Sequence, residues 1–291
     1  MGKKSIVSAV SELMKKEGFD LATASSIRTS VDIIARKSGE IFAIRVMRNI
    51  DAANMQLVEK LKEIAAFIGA KPVILGFISQ NGALKPNITY RRFSIDCMHV
   101  SSVEQIDDRT TSYFASKSVG VKVLIDGTRI KALRRLKAMT DKELAHEAGI
   151  SQSTLYKHEK GYSYASLAVA KALEAALGAS VVTSGDVNTG NEKIKIRTKK
   201  LANTGLAAIE LNNDPFGMLA KGRQKYQIGL DADMRSMEKR ALFYKEVEEL
   251  ISDAHAFFIS NTKKGNIMGV PVLQKRNIEN MKSEEELLAA L

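Results

Sequence analysis

The segment 140–161, TDKELAHEAGISQSTLYKHEKG, constrains the fold of this 291-residue chain more tightly than any other stretch. Thr140 and Glu143 have the spacing of a capping box, in which two side chains satisfy free N–H groups at a helix N-terminus. Gly149 can adopt the left-handed conformation that ends a helix, and Ser151 is suited to cap the next one. The pattern predicts two short helices joined by a tight turn.

The second helix is expected to turn Leu155 inward and a polar face outward. The outward residues are Gln152, Ser153, Tyr156 and Lys157. Amide, hydroxyl and amine groups are those that reach base edges and phosphates in nucleic acids. Ser151, at the helix N-terminus, favours a phosphate because free N–H groups and the helix dipole attract anions there.

The stretch ELAHEAGISQSTLYKHEKG resembles the helix-turn-helix of the lambda-repressor/Cro type, in its LA pair, AGIS turn, TLY helix and closing EKG. With its flanking helices the resemblance covers residues 127–178 and implies four or five short helices around one core. It further implies that Gln152 and Ser153 read bases and that Lys157 reaches a base or phosphate. Asp141 departs from the pattern, since many relatives have a phosphate-binding glutamine there; Lys142 or Thr140 is expected to replace that contact. An ordinary helical hairpin would explain the apolar spacing, but not the cap, turn and polar face together.

Composition favours a polyanionic partner, nucleic acid before membrane. The formal net charge is +11, and residues 111–178 alone carry 11 basic and six acidic side chains. The single cysteine excludes a disulfide framework and a cysteine zinc site. No apolar run approaches the length of a membrane span, and the N-terminus lacks the features of a signal peptide, so a cytoplasmic location is expected. His146 and His158 are expected on the surface of the helix-turn-helix.

The N-terminal third predicts an α/β unit: a helix over 5–16, strands over 31–36 and 41–48, a helix over 55–68 and a buried strand over 73–79. GFDLATASSIRTSVDIIARKSGEIFAIRVM resembles the core of archaeal Holliday-junction resolvases, a branch of the PD-(D/E)xK nuclease fold. That resemblance implies three residues that bind a divalent metal and activate water. One is an acid at the end of a strand; the other two are an acid and a lysine, two residues apart, on the next strand. Asp32 matches the first acid, but Arg45 and Met47 stand where the pair belongs. We therefore predict a nuclease fold without catalysis, in which Asp32 is a structural or a relic acid.

The C-terminal third repeats the same order. The stretch 217–231 matches 32–47 as strand, basic turn and strand, followed in both cases by a helix and a buried strand. The tails 94–106 and 277–289 also match each other in sequence. Asp214, Asp231 and Asp233 could in principle hold a metal, but no lysine has the right spacing and Gly229 takes the place of the acid. These similarities predict an internal duplication.

Together these patterns predict a multidomain α+β and α/β protein, with a nuclease-like lobe over 1–110, an all-α helix-turn-helix domain over 120–180 and a second α/β lobe over 190–291. The chain resembles archaeal transcriptional regulators that place a lambda-repressor-type helix-turn-helix inside a longer chain. We expect a sequence-specific, double-stranded-DNA-binding regulator, a homodimer without cofactor, metal or enzymatic activity. The expected DNA contacts are Thr140, Lys142, Ser151, Gln152, Ser153, Tyr156 and Lys157. The alternatives are a structure-selective nuclease and an architectural or antitoxin-like DNA-binding protein.

Overall fold

A computed structural model describes residues 3–24, 27, 29–80, 82–86, 88–106, 113–116, 120–183, 198–212 and 214–291. The chain forms two compact units, one made of Met1–Leu75 with Glu192–Leu291, the other of Gly76–Asn191. Across these described ranges, no helix has the length and apolar character needed to cross a membrane.

The first lobe of the discontinuous unit is a mixed sheet with one crossover helix. Its elements are α1 (Lys3–Lys16), β1 (Asp20–Thr23), β2 (Ile33–Lys37), β3 (Glu40–Val46), α2 (Met55–Ile68) and β4 (Lys71–Gly76). Strands β1, β2 and β3 are antiparallel in sequence order, and β4 lies parallel to β3 after α2. Helix α2 has the predicted bounds because Asn54 accepts from the N–H of Leu57 and Gly69 ends it at φ 77°. The short strand β1 was not predicted.

The continuous unit begins with small strands and carries the helices expected from the sequence. Its elements are β5 (Ile78–Ser79), β6 (Gly82–Ala83), β7 (Thr89–Arg92), β8 (Ile95–His99), β9 (Tyr113–Ser116), β10 (Gly120–Asp126), α3 (Gly127–Leu136), α4 (Asp141–Glu147), α5 (Gln152–Glu159), β11 (Tyr162–Ser166) and α6 (Leu167–Leu177). In its sheet the strands follow the order β8, β7, β9, β10, β11.

The helix-turn-helix region is not purely helical, which corrects the all-α prediction. Strand β11 lies between α5 and α6 and pairs antiparallel with β10 from Lys122 to Asp126. Val123 and Ile125 of β10 pack in the same core as Leu144 of α4 and Leu155 of α5. Because residues 122–126 of β10 pair with residues 162–166 of β11, on the far side of three helices, no local pattern marked either segment as a strand.

The second lobe of the discontinuous unit has the same strand order and directions as the first. Its elements are β12 (Lys199–Lys200), β13 (Ala207–Glu210), β14 (Met218–Lys221), β15 (Lys225–Leu230), α7 (Met234–Leu250), β16 (Ala254–Ile259), β17 (Asn266–Ile267), β18 (Val270–Leu273), α8 (Lys275–Asn280) and α9 (Glu284–Ala289). Strands β13, β14 and β15 are antiparallel, and β16 is parallel to β15 after α7.

Register supports the predicted duplication in detail. Ile33 pairs with Ile44 in the first lobe as Met218 pairs with Ile228 in the second. Position 45 in the first lobe therefore corresponds to position 229 in the second. The predicted match of the tails is wrong, since 94–106 forms β8 and a 3-10 helix while 277–289 falls on α8 and α9.

Both lobes pack together inside the discontinuous unit. Asp214 accepts hydrogen bonds from the main-chain N–H and the hydroxyl of Ser30 and from Lys60 Nζ, at 2.6 Å for the hydroxyl and 3.2 Å for the lysine. Arg36 Nη1 donates to the carbonyl oxygen of Leu250 at 2.9 Å. The residues that these hydrogen bonds join are 154 to 214 positions apart in sequence.

Candidate nucleic-acid interface

Helix α4 begins with the capping box expected from the sequence. Thr140 Oγ1 accepts from the N–H of Glu143 at 3.2 Å, and Glu143 Oε2 accepts from the N–H of Thr140 at 2.7 Å. The N–H and the hydroxyl of Thr140 both donate to the Glu143 carboxylate, and these two hydrogen bonds lower the pKa of Glu143. Gly149, at φ 64°, lets the chain turn from α4 into α5.

Helix α5 is capped by Ser151 and anchored by Leu155. The Oγ of Ser151 accepts from the N–H of Thr154 at 3.1 Å and lies 2.9 Å from the hydroxyl of Ser153. Leu155 is fully buried, as predicted. The side chain that caps α5 is therefore held in place by neighbouring hydroxyls.

The sequence-predicted contact residues all lie on the surface of this region. The exposed residues are Thr140, Lys142, Ser151, Gln152, Ser153, Tyr156 and Lys157. Tyr156 is 60% exposed, and Lys160 Nζ lies 4.6 Å from its ring centroid. Lys160 was missed by sequence reasoning, although it stands four residues after Tyr156 and so on the same face of α5. Contact of these side chains with DNA stays a prediction.

A nearly buried ion pair fixes the other end of α5. Arg134 of α3 donates to both carboxylate oxygens of Glu159, at 2.6 and 2.9 Å, and to the carbonyl oxygen of Met139 at 3.1 Å. The hydrogen bond to Glu159 raises the pKa of Arg134. Two parallel hydrogen bonds define an orientation as well as a distance, so α5 is held against α3.

His158 is buried, so the expectation that it lies on the surface is wrong; His146 is exposed as expected. The Nδ1 of His158 lies 2.7 Å from Ser163 Oγ of β11. Burial, and secondly the charge of Lys122, lowers the pKa of His158. The reason is the unpredicted strand β11, which packs against the end of α5.

Asp141, the departure from the helix-turn-helix pattern, interacts with its own helix. Its Oδ1 accepts from the N–H of Lys142 at 3.0 Å. A carboxylate at the first turn is favourable because it complements the positive end of the helix dipole. Asp141 therefore stabilises α4, and its position leaves Thr140 and Lys142 exposed beside it.

The nuclease position of the first lobe is occupied by an ion pair. Asp32 is 2% exposed, and its Oδ2 accepts from the N–H of Val46 at 2.9 Å. Arg45 Nη1 lies 3.3 Å from the same carboxylate and also donates to the carbonyl oxygen of Thr29. A divalent cation requires several anionic oxygens, and here a guanidinium lies against the carboxylate instead. These residues do not fit a catalytic metal.

The corresponding position of the second lobe is filled by an aromatic ring. A Cβ at Gly229 would lie 2.2 Å from the ring of Phe258, which leaves no room for a carboxylate. Of the three acids that the sequence singled out there, Asp214 binds Ser30, Asp231 accepts from Ser260 Oγ at 2.7 Å, and Asp233 caps α7. Over the residues with described positions, no group of three His, Cys, Asp or Glu side chains is arranged to hold a metal ion.

Family models match two parts of the chain. Residues 3–108 match the model described as a PD-(D/E)XK superfamily domain, and residues 130–183 match the model described as helix-turn-helix. The chain therefore carries a PD-(D/E)XK superfamily domain and a helix-turn-helix domain, as both resemblances implied.

Full-length relatives occur in archaea. Proteins from Methanothermobacter thermautotrophicus and Pyrococcus horikoshii are each 26% identical to this chain over 99% of its length and 96% and 97% of theirs. A protein from Thermococcus kodakarensis is 24% identical over 99% of this chain and 95% of its own. All three bear the name "putative HTH-type transcriptional regulatory protein". No solved structure matches the chain.

Proposed function

We propose that this chain is a sequence-specific regulator of transcription that binds double-stranded DNA through α5 and the start of α4. The observation that carries the proposal is the exposed polar face of α5, on a helix fixed from inside by Leu155 and Glu159. The archaeal relatives of the same length, named as transcriptional regulators, support it further.

Distinct roles follow from the positions of the side chains along α5. Gln152 and Ser153, in the first turn, read base edges in the major groove, where an amide can bind adenine with two hydrogen bonds. Lys157 and Lys160 contribute positive charge one and two turns further on. Thr140, Lys142 and Ser151 contact phosphates, which position the protein on the duplex without reading its sequence.

We further propose a cytoplasmic homodimer. Two copies of α5 about one helical turn of DNA apart would read a near-palindromic site, as twofold symmetry requires. The flanking lobes then supply scaffold or dimerisation surface. Three segments, 1–110, 120–180 and 190–291, remain our proposed domain division.

Selection of bound sequences from random duplex DNA tests this function, with the mass of the complex measured in parallel. We expect enrichment of one motif with two similar half-sites and a mass of two chains per duplex. Enrichment of no motif would contradict sequence-specific regulation and favour an architectural role, which genomic footprinting would then reveal as broad, motif-independent coverage.

A nuclease is the second candidate, because residues 3–108 match a nuclease superfamily. The Arg45–Asp32 ion pair and the Phe258 ring at the two catalytic positions argue against it. Incubation with branched and linear DNA plus magnesium or manganese should give no cutting. Metal-dependent cutting that disappears in Asp32→Ala would establish the nuclease instead.

A further inference from the structure

The second lobe contains a cavity of about 500 Å³ that the proposed DNA-binding function does not use. It lies where β15 and β16 end, between Asp231, Ser260 and helix α8. Small-molecule sites have volumes of roughly 300–1,000 Å³, and in α/β sheets they lie outside the carboxyl ends of parallel strands. Size and position are therefore those of a ligand site.

The cavity has an apolar body and one defined polar end. Its apolar lining comes from Leu201, Met218, Leu230, Ile259 and Ile278. At the polar end, Ser260, itself only 4% exposed, donates to Asp231 Oδ1 at 2.7 Å and accepts from the N–H of Thr262 at 3.1 Å. A fixed hydroxyl thus orients the Asp231 carboxylate, and its hydrogen is committed to that carboxylate.

The two charged side chains at the mouth of the cavity do not neutralise the negative charge of this carboxylate. Lys275 and Glu279 also line the cavity, and their charged atoms lie 3.8 Å apart on α8. Both side chains are more than half exposed, so solvent screens them and they offset each other. Asp231 is exposed as well, but its carboxylate is held by Ser260 at the polar end of the cavity, where a ligand would meet it.

The two lobes differ at this position in a way that fits a change of role. By the shared register, Asp231 corresponds to Met47, where the nuclease resemblance expects a lysine. The second lobe therefore has a carboxylate beside apolar walls where the first lobe has the thioether of Met47. Such an edge can bind an organic cation instead of activating water at a metal.

We propose that this cavity binds a small organic amine, its apolar body against Met218 and Ile259 and its ammonium group on Asp231. The inference is independent of DNA binding, since every residue in it belongs to the second lobe. An alcohol of the same shape should bind more weakly, because hydrogen bonds between ionised partners are stronger than neutral ones. A carboxylate should be repelled.

Titration of the full chain with 2-phenylethylamine, 2-phenylethanol and phenylacetate, followed by saturation-transfer NMR, tests the proposal. These probes share a ring and differ mainly in the polar end. We expect the amine to bind about tenfold more tightly than the alcohol, and phenylacetate not to bind. Failure of the amine to bind up to its solubility limit, or equal binding of phenylacetate, would overturn the proposal.

Two variants locate the binding. Asp231→Asn retains an acceptor for Ser260 and removes the charge, so the amine should bind it only as tightly as the alcohol binds the unmodified chain. Ile259→Phe should abolish binding by filling the cavity. Asp253→Asn, which removes a partly exposed carboxylate of the same lobe, is the matched control and should leave the affinity unchanged. Equal affinity of the amine for Asp231→Asn and the unmodified chain would contradict the site.

Discussion

Asp32 shows how a residue of a catalytic pattern can be retained for stability. Its carboxylate, which is almost completely buried, accepts a hydrogen bond from the N–H of Val46 and forms an ion pair with the guanidinium of Arg45. We expect Asp32→Ala to lower the free energy of unfolding by about 3 kcal/mol, because it leaves a cation without this partner. Urea denaturation measures this loss, and Asp20→Ala, which removes an exposed partner of Arg36, is the control. A variant as stable as the unmodified chain would show that Asp32 has no structural role.

His158 makes the stability of the helix-turn-helix depend on pH. Burial lowers its pKa in the folded state below the ordinary value of 6.5, so the unfolded chain binds the proton more readily. Its contribution to stability is present above pH 6.5 and is lost as the pH falls from 6.5 towards the lowered pKa. Urea denaturation at several pH values should show a weaker pH dependence for His158→Gln. His146→Gln, which changes an exposed histidine on α4, should retain the original dependence; a matching change in both variants would contradict the assignment.

At the scale of elements, Gly127 sets how closely α3 approaches α5. A Cβ at this position would lie 1.8 Å from the carbonyl oxygen of His158 and 2.4 Å from that of Gly161. Backbone atoms cannot move aside as a flexible side chain can, so we expect Gly127→Ala to destabilise this region by about 1–3 kcal/mol or more. Hydrogen exchange of α3 and α5 should reveal the loss of protection. The control is Thr128→Ala, which changes the neighbouring, exposed residue and should leave hydrogen exchange unaltered. Unaltered hydrogen exchange in Gly127→Ala would contradict this close packing of α3 against α5.

The elements that the sequence predicted well are those with local signals. Helices α2, α4 and α5 are each preceded by a capping residue whose side chain accepts from the N–H three residues further on, and each helix forms where expected. The exposed face of α5 follows from the same local periodicity. Pairing of β10 with β11 and the Arg134–Glu159 ion pair connect residues 25 or more positions apart, and no local pattern encodes such partners. Burial of His158 was missed for the same reason.

At the scale of the whole molecule, two lobes from opposite ends of the chain share one compact unit. Asp214 links them by accepting from Ser30 and Lys60 of the first lobe. We expect Asp214→Ala to reduce hydrogen-exchange protection in both lobes, around β2 and β14, because Ser30 and Lys60 lose the partner through which the first lobe is bound to the second. The control is Glu210→Gln, which alters an exposed ion pair of the second lobe and should leave hydrogen-exchange protection unchanged in both lobes. Loss of protection confined to one lobe would contradict the packing.

The two lobes share one order of strands, and at corresponding positions they hold an arginine and a phenylalanine ring. Each lobe keeps the strand order of the fold and fills the catalytic position with a group that packs or pairs. The DNA contacts that we propose therefore lie outside those positions, on the exposed face of α5.

The most direct test of that face is the affinity of Gln152→Ala for a selected duplex and for one with altered half-sites, measured by fluorescence anisotropy over a range of salt concentrations. We predict that the variant loses about 1–3 kcal/mol of discrimination between the two duplexes while its affinity for the altered one stays unchanged. In the same titrations, Lys157→Gln should weaken binding to both duplexes and reduce the salt dependence by about one released counterion. Undiminished discrimination by Gln152→Ala, with an unaltered salt dependence for Lys157→Gln, would contradict DNA recognition by α5.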